Sequence, residues 1–177
     1  DTKTINEAIK EGSDQGAVSV GVSTSFFDFW AGSRDGGFTQ AMYDFYDYKD
    51  LLKKLQKKFS DHAVETAKAV LARADVDEIL GGGANASIAN PKFLEEWDVP
   101  IIKRVLQVCK EYAVPFQCYI HGKCKPCLPI MARAASEVGM PITISPMEPP
   151  PKGDIDNWSE IKEKYGAEAV VAGQGTG

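Results

Sequence analysis

The amino-acid sequence predicts an α/β fold in which parallel strands alternate with helices. Short runs of β-branched and small residues recur along the chain, and each is followed by a segment with helical periodicity. The connections after these runs are long and hold glycine, histidine, cysteine and aromatic residues, whereas the connections before them are short. Because parallel strands joined by right-handed crossovers place their carboxyl ends at one edge of the sheet, we expect the functional residues at that edge.

Length, composition and charge limit the class of protein. The chain has 177 residues, 44% hydrophobic and 25% charged, which is enough for one globular domain, and we treat residues 1–177 as a single domain. A net charge of -5, with lysine and arginine scattered along helices, disfavours nucleic-acid binding. No apolar run approaches the ~20 residues of a membrane span. Four unevenly spaced cysteines favour a reducing, cytoplasmic location over a disulfide framework.

The first part of the chain predicts one strand between helical segments. Thr4–Gly12 has the pattern of a short helix that ends at a glycine, and Ala17–Val22 reads as a strand. Phe26–Gly37 is rich in aromatic residues and glycine, which predicts a loop. Phe38–Ala74 is helical, because its leucines recur on one face and its lysines on the other.

The remainder of the chain repeats a strand-then-helix order. Each predicted helix begins near serine, asparagine or proline, and each predicted strand is a short apolar run. The predicted strands are Val76–Leu80, Val114–Ile120, Pro141–Ser145 and Ala169–Ala172, and the predicted helices are Pro91–Tyr112, Cys127–Val138 and Asn157–Tyr165.

The segment richest in reactive side chains follows the third predicted strand. It has the spacing His121-x-x-Cys124-x-x-Cys127, and zinc accepts nitrogen and sulfur ligands from such short loops. His121 and Cys124 are therefore candidate metal ligands. Pro126 and the helix that begins here could instead direct Cys127 into the core. A third possibility is that N–H groups of the helix start lower the pKa of Cys124, giving a reactive thiolate without a metal.

Other candidates follow the neighbouring strands. Glu148 comes after the fourth strand, where it would orient His121 or act as a general acid or base, or would simply be a solvated loop acid. Asn85 follows three glycines that let the backbone approach a ligand closely, although a structural turn is an equal alternative. Phe29 and Trp30, with the phenylalanines before them, could form one wall of a cavity for a flat ligand or pack in the core.

Three segments in order resemble one protein family. Ala89–Arg104 resembles the pattern S-P-x-x-F-x-E-F-x-x-P-x-x-K-R, and Pro115–Leu128 resembles a strand that ends in H-x-C-G-x-x-x-P-x-L. Val170–Gly175 resembles a late strand that ends in G-N, with Gln174 where asparagine is usual. This order resembles the uroporphyrinogen decarboxylase superfamily, which includes cobalamin-dependent methyltransferases. The likeness extends from about Ala17 to the end of the chain.

The resemblance implies part of a (β/α)₈ TIM barrel, with five strands in this chain and the flanking strands outside it. It also implies an enzyme that acts on a small molecule, most simply a methyltransferase that moves a methyl group between a small substrate and a corrinoid carried by a partner protein. The alternatives are decarboxylation of uroporphyrinogen and a non-catalytic binding barrel.

The resemblance also bears on individual residues. In the methyltransferase branch, a strand-end His-x-Cys supplies two zinc ligands; here Tyr119 stands in the histidine position and His121 in the cysteine position. The catalytic residues predicted in this way are His121, Glu148 and Cys124, with zinc as the expected metal. The predicted substrate-binding residues are Asn85, Phe29, Trp30, Tyr119 and Gln174.

Overall fold

The computed structural model describes residues 2–12, 14, 16–83, 87 and 90–173, with backbone only for Thr2 and residues 170–173. Within these residues one sheet of five strands is flanked by helices. The strands are β1 (Ser19–Gly21), β2 (Glu78–Gly82), β3 (Phe116–Tyr119), β4 (Ile142–Met147) and β5 (Ala169–Gly173).

One helix precedes β1 and the others lie between successive strands, as the alternating pattern predicts. They are α1 (Thr2–Gly12), α2 (Phe26–Ser33), α3 (Gly37–Asp47), α4 (Lys49–Leu71), α5 (Pro91–Trp97), α6 (Val99–Tyr112), α7 (Leu128–Val138) and α8 (Trp158–Tyr165), with a single 3₁₀ turn (Lys125–Cys127) before α7. None of the helices among the described residues combines the length and the apolar character needed to cross a bilayer.

The sheet is parallel throughout and its strand order is β1-β2-β3-β4-β5. Each strand therefore lies beside the strand that follows it in the chain, which is the arrangement of a TIM barrel. The predicted α/β class, the parallel pairing and the order of all five strands are confirmed, and the chain forms part of such a barrel.

The two faces of the sheet differ in burial. One face is almost fully buried in the main hydrophobic cluster, and its side chains alternate along each strand with those of the opposite face. It includes Ile79, Phe116 and Ile144. The opposite face carries half-buried residues such as Gln117 and Thr143. This alternation assigns the first set to the helix-covered outside of the barrel and the second set to its inside.

Residues 26–37 are not the loop that their composition predicts. Phe26–Ser33 forms helix α2, and the hydroxyl of Ser25 caps it by accepting a hydrogen bond of 3.3 Å from the backbone N–H of Asp28. Phe26 and Phe27 are buried. The aromatic residues of this segment thus stabilise a helix, because they pack against α3, α4 and α5 through ring contacts with Phe45, Phe59, Phe93 and Trp97.

The predicted single helix Pro91–Tyr112 is interrupted at Asp98, which separates α5 from α6. Pro100 has no N–H with which to continue the helical hydrogen-bond series. The carbonyl groups before the break accept bonds from helix α4 instead: Lys53 Nζ donates to Glu96 O (2.9 Å), and Gln56 Nε2 donates to Trp97 O (2.6 Å).

Asp98 is fully buried and connects this break to helix α2. Its carboxylate accepts hydrogen bonds from the backbone N–H of Phe26 (2.9 Å) and from the hydroxyl of Ser25 (3.3 Å). The start of α2 is therefore held in place by a residue that is distant in sequence.

Replacing Asp98 with alanine should destabilise the fold, since the buried N–H of Phe26 would lose its acceptor. We expect Asp98→Ala to lower the free energy of unfolding by about 1–3 kcal/mol. Asp75→Ala, which changes an exposed aspartate at the other end of the sheet, is the matched control and should stay within about 0.5 kcal/mol. Urea unfolding measures both, and equal effects would contradict the role assigned to Asp98.

Candidate functional site

The carboxyl ends of β1 and β2 are joined by the side chain of Thr24. Its hydroxyl donates to Gly82 O (2.6 Å) and accepts from Gly82 N (2.8 Å), and the residue is fully buried. Gly81 packs tightly between Phe116 and Thr24. A Cβ at this position would lie 2.5 Å from Phe116 Cζ and 2.6 Å from Thr24 Oγ1. These contacts fix two neighbouring strand ends relative to each other.

A cavity of about 430 Å³ opens at these two strand ends, and we call it the mouth cavity. Phe29, one of the predicted substrate-binding residues, lines it with 41% of its surface exposed. The polar side chains of the lining were not predicted to bind a substrate, although the Ser-Thr-Ser run shortly after β1 was a signal in the sequence. The polar lining side chains are Ser23, Thr24, Ser25 and Asp28.

Tyr119 and His121 lie together at the end of β3. Their ring centroids are 4.3 Å apart and the rings are nearly perpendicular (83°). Tyr119 pairs with Gly82 of β2 and Ser145 of β4, and the next residue, Ile120, donates its N–H to Ser145 O (2.8 Å). His121 is exposed. The structure thus places the imidazole at the carboxyl edge of the sheet, on the same edge as the mouth cavity.

The loop after His121 is held by two polar side chains from neighbouring loops. Gly122 has a left-handed backbone (φ +68°), a conformation that favours glycine, and the following N–H of Lys123 donates to Ser87 Oγ (3.3 Å). The N–H groups of Cys124 and Lys125 both donate to Asp154 Oδ1 at 3.0 Å. Asp154 therefore caps the turn that leads into α7, and it was not identified from the sequence.

Cys124 is buried, with no exposed surface. Burial, together with the charge of Asp154, raises the pKa of its thiol to about 12. Burial therefore disfavours a reactive Cys124 thiolate, and the N–H groups of the turn bind the carboxylate of Asp154 and not the sulfur. Cys127 is also buried, as expected if Pro126 directs it into the core.

Glu148 follows β4 and is half-buried. Its charge is one of the causes that raise the pKa of Cys124, and its backbone carbonyl accepts a hydrogen bond from Ile155 N (3.1 Å). The structure thus brings Glu148, Asp154 and Cys124 together beside the β3 and β4 ends. Two further predicted site residues, Asn85 and Gln174, lie outside the described residues.

The predicted zinc site is incomplete within the described part of the chain. No group of three or more histidine, cysteine, aspartate or glutamate side chains there is arranged to hold a metal ion. Catalytic zinc has three protein ligands. His121 and Cys124 would therefore need a further ligand from outside the described residues, and the buried neutral thiol would have to lose its proton.

Trp30 does not share the mouth cavity with Phe29, so the idea of one aromatic wall is wrong. Trp30 lines a second cavity, of about 670 Å³, between α2, α3 and α4. Its indole N–H donates to the buried carboxylate of Asp44 (3.0 Å), which also binds Arg34 Nε (2.7 Å) and Gln40 Nε2 (3.0 Å). The Arg34 hydrogen bond is the main cause that lowers the pKa of Asp44.

Comparison with known proteins identifies the family to which the chain belongs. The family model for uroporphyrinogen decarboxylase (URO-D) matches residues 3–157, most of the chain. The chain belongs to the URO-D family. The comparison with curated proteins gives no match.

Membership in the URO-D family confirms the resemblance drawn from the order of the sequence motifs. Members of the family are enzymes, either decarboxylases or methyltransferases. The choice between these two activities therefore rests on the residues at the carboxyl edge of this URO-D sheet.

The close fit of Gly81 gives a test of the strand-end geometry. Gly81→Ala should lower the free energy of unfolding by about 1–3 kcal/mol, because the new methyl group overlaps Phe116 and Thr24. Gly21→Ala is the matched control, since nothing lies within 4 Å of a Cβ at that strand position. Equal stability of the two variants in urea would contradict the described packing.

The thiols give a second test. All four cysteines are buried and outside any disulfide, and burial raises the pKa of Cys109 and Cys124 to about 12. We expect the native protein to react slowly with a thiol-directed reagent at about pH 8 and to react fully in urea, because only the thiolate is nucleophilic. Fast labelling of Cys124 in the native state, located by peptide mass spectrometry, would contradict its burial.

Proposed function

We propose that this URO-D family chain belongs to a methyltransferase that moves a methyl group between a small substrate and a corrinoid carried by a partner protein. The observation that supports this choice is the placement of the arginines. Arg34 binds Asp44 on α3, Arg104 binds Asp61 on α4, and Arg133 binds Glu95 on α5. Arg73 follows α4 at the amino end of β2.

A tetrapyrrole carboxylate needs cationic groups to hold its acid side chains. The arginines lie instead on helices or at the amino end of the sheet, and none of them lines the mouth cavity. Lys125, on the loop after β3, is bound to Asp156 at 2.7 Å. The side chains at the carboxyl edge include the carboxylates of Asp28 and Glu148, which would repel such a substrate. They also include two exposed lysines, Lys123 and Lys152, whose ammonium groups lack the forked geometry with which arginine binds a carboxylate. The placement of the arginines therefore favours methyl transfer over decarboxylation.

The proposed reaction moves the methyl group as a cation equivalent. The bond from the methyl carbon to its leaving atom breaks with the electron pair on that atom, and a new bond forms from carbon to the accepting nucleophile. His121 is exposed at the carboxyl edge of the sheet, where its imidazole would take up or deliver the proton of a thiol, alcohol or amine. Glu148 would assist as a second acid or base, and Tyr119 would position His121 through its ring contact.

Two accessory groups belong to the proposal. The corrinoid acts as a second substrate, delivered by its own protein. Zinc would supply Lewis-acid chemistry when bound, with His121 and Cys124 as two of its ligands. The described residues do not complete that donor set, so no step of the proposed reaction depends on the metal. A cytoplasmic location is proposed from the free cysteines.

The His121 role has a matched control within the chain, because His62 is the other histidine and lies exposed in the middle of α4. We expect His121→Ala to reduce methyl transfer by about 10²-fold, as for loss of a general acid or base, and His62→Ala to leave it unchanged. The rate is measured as the demethylation of methylcobalamin in the presence of a small thiol acceptor, which is monitored by the change in its absorbance. Both variants should unfold at the same urea concentration as the wild type.

Formation of coproporphyrinogen from uroporphyrinogen, measured with the same preparation, is the opposing assay. Decarboxylation without methyl transfer would overturn the proposal and support the decarboxylase alternative. A folded protein with neither activity, in the presence of the partner, would support a non-catalytic barrel.

A further inference from the structure

We propose that the substrate carries a methylated ammonium group, and that Asp28 and Phe29 bind this cation in the mouth cavity. The inference rests on the proposed methyl transfer and adds the chemical class of the small substrate. Three properties of the cavity support this assignment. They are the position of the Asp28 carboxylate and the Phe29 ring, the charge of the lining, and the hydrogen bonds at the start of α2.

Asp28 and Phe29 are consecutive residues in the first turn of α2, and both side chains are exposed at the cavity. The Phe29 ring is held from behind by Phe59, with centroids 4.8 Å apart, and by Phe26 at 6.2 Å. An aromatic face beside a carboxylate is the combination that binds methylated ammonium ions, through cation–π attraction and opposite charge. The ring is therefore placed as a fixed surface for the methyl groups.

The lining carries a single charge. Among the described residues that border the mouth cavity, Asp28 is the one charged side chain, and the others are glycines, hydroxyl residues and apolar residues. A cavity of about 430 Å³ suits a small organic molecule. A cationic ligand would have its charge balanced there, whereas an anionic ligand would face Asp28 with no cation beside it.

The start of a helix often binds anions, but at α2 three of the N–H groups already have acceptors. Phe26 N donates to Asp98 Oδ1 (2.9 Å), Asp28 N donates to Ser25 Oγ (3.3 Å), and Phe29 N donates to Ser25 O (3.2 Å). The buried Asp98 carboxylate also adds negative charge at this helix end. Together these bonds and this charge disfavour anion binding and suit the site to a cation.

A quaternary methylammonium group matches the chemistry of methyl transfer. The C–N bond breaks, its electron pair stays on nitrogen, and the amine leaves neutral. The proton on which His121 would act is then that of the thiol, alcohol or amine that accepts a methyl group from the methylated corrinoid. The methyl carbon bonds to the nucleophile that the partner's corrinoid supplies. The positive charge leaves the nitrogen in this step, so Asp28 and Phe29 bind the substrate more tightly than the neutral amine, until that amine takes up a proton from water.

The test is isothermal titration calorimetry at low ionic strength with choline and with its uncharged isostere, in which carbon replaces nitrogen. We expect choline to bind the wild type and the isostere to bind about tenfold more weakly. Asp28→Asn should weaken choline binding by about fivefold and leave the isostere unchanged. Phe29→Leu should weaken choline binding by about two- to fivefold. Asp75→Asn, an exposed aspartate at the amino end of the sheet, should change neither.

Equal affinity for choline and the isostere would overturn the inference. Choline binding that is unchanged in both Asp28→Asn and Phe29→Leu would overturn it as well. Circular dichroism checks that the variants fold, as expected for exposed positions. The assay of methyl transfer separates this inference from the proposed function. Methyl transfer from a thioether or methoxylated compound without choline binding would support the proposed function and contradict the inference. Choline binding that depends on Asp28, without methyl transfer, would support the inference and contradict the proposed function.

Discussion

The buried carboxylate of Asp98 is the interaction on which the rest of this edge of the barrel depends. It lies at the break between α5 and α6, where Pro100 prevents a continuous helix, and it accepts hydrogen bonds from the start of α2. An unsatisfied carboxylate at this depth would be costly, so its geometry is strict. Because α2 begins at these bonds, the positions of Asp28 and Phe29 follow from them, and the aromatic cluster behind α2 follows in turn.

Polar side chains tie the loops at the carboxyl edge to one another. Thr24 joins the ends of β1 and β2, Ser87 contacts the loop after β3, and Asp154 reaches back from the segment after β4 to the turn at Cys124. Each of these groups satisfies backbone N–H or carbonyl groups of a strand end or of the loop that follows it. These bonds restrain the described loops at this edge, which suits residues that must hold a substrate in one orientation.

Much of the fold could be predicted from the sequence, because strand and helix periodicities are local properties. All five strands and their order followed from the alternation of apolar runs with amphipathic segments, and the position of His121 at a strand end followed from the same pattern. The interpretation of residues 26–37 as a loop failed because the capping of α2 depends on Asp98, more than seventy residues away in the sequence. The acceptor of the Cys124 N–H was equally inaccessible, since it is the side chain of Asp154, 30 residues away.

The irregularity in β4 has a consequence for the evolution of the site. Ile142 and Ile144 face the helices, so strict alternation would also turn Glu148 toward them; the register shift between Ile144 and Met147 places buried Met147 on the helix side instead. Glu148 then remains half-buried beside the edge. A regular strand of the same length, without the shift, would send this carboxylate into the apolar layer and withdraw it from the edge. Relatives that lose the irregularity but keep the strand length should therefore lack the acid, so the shift and the identity of residue 148 are expected to vary together.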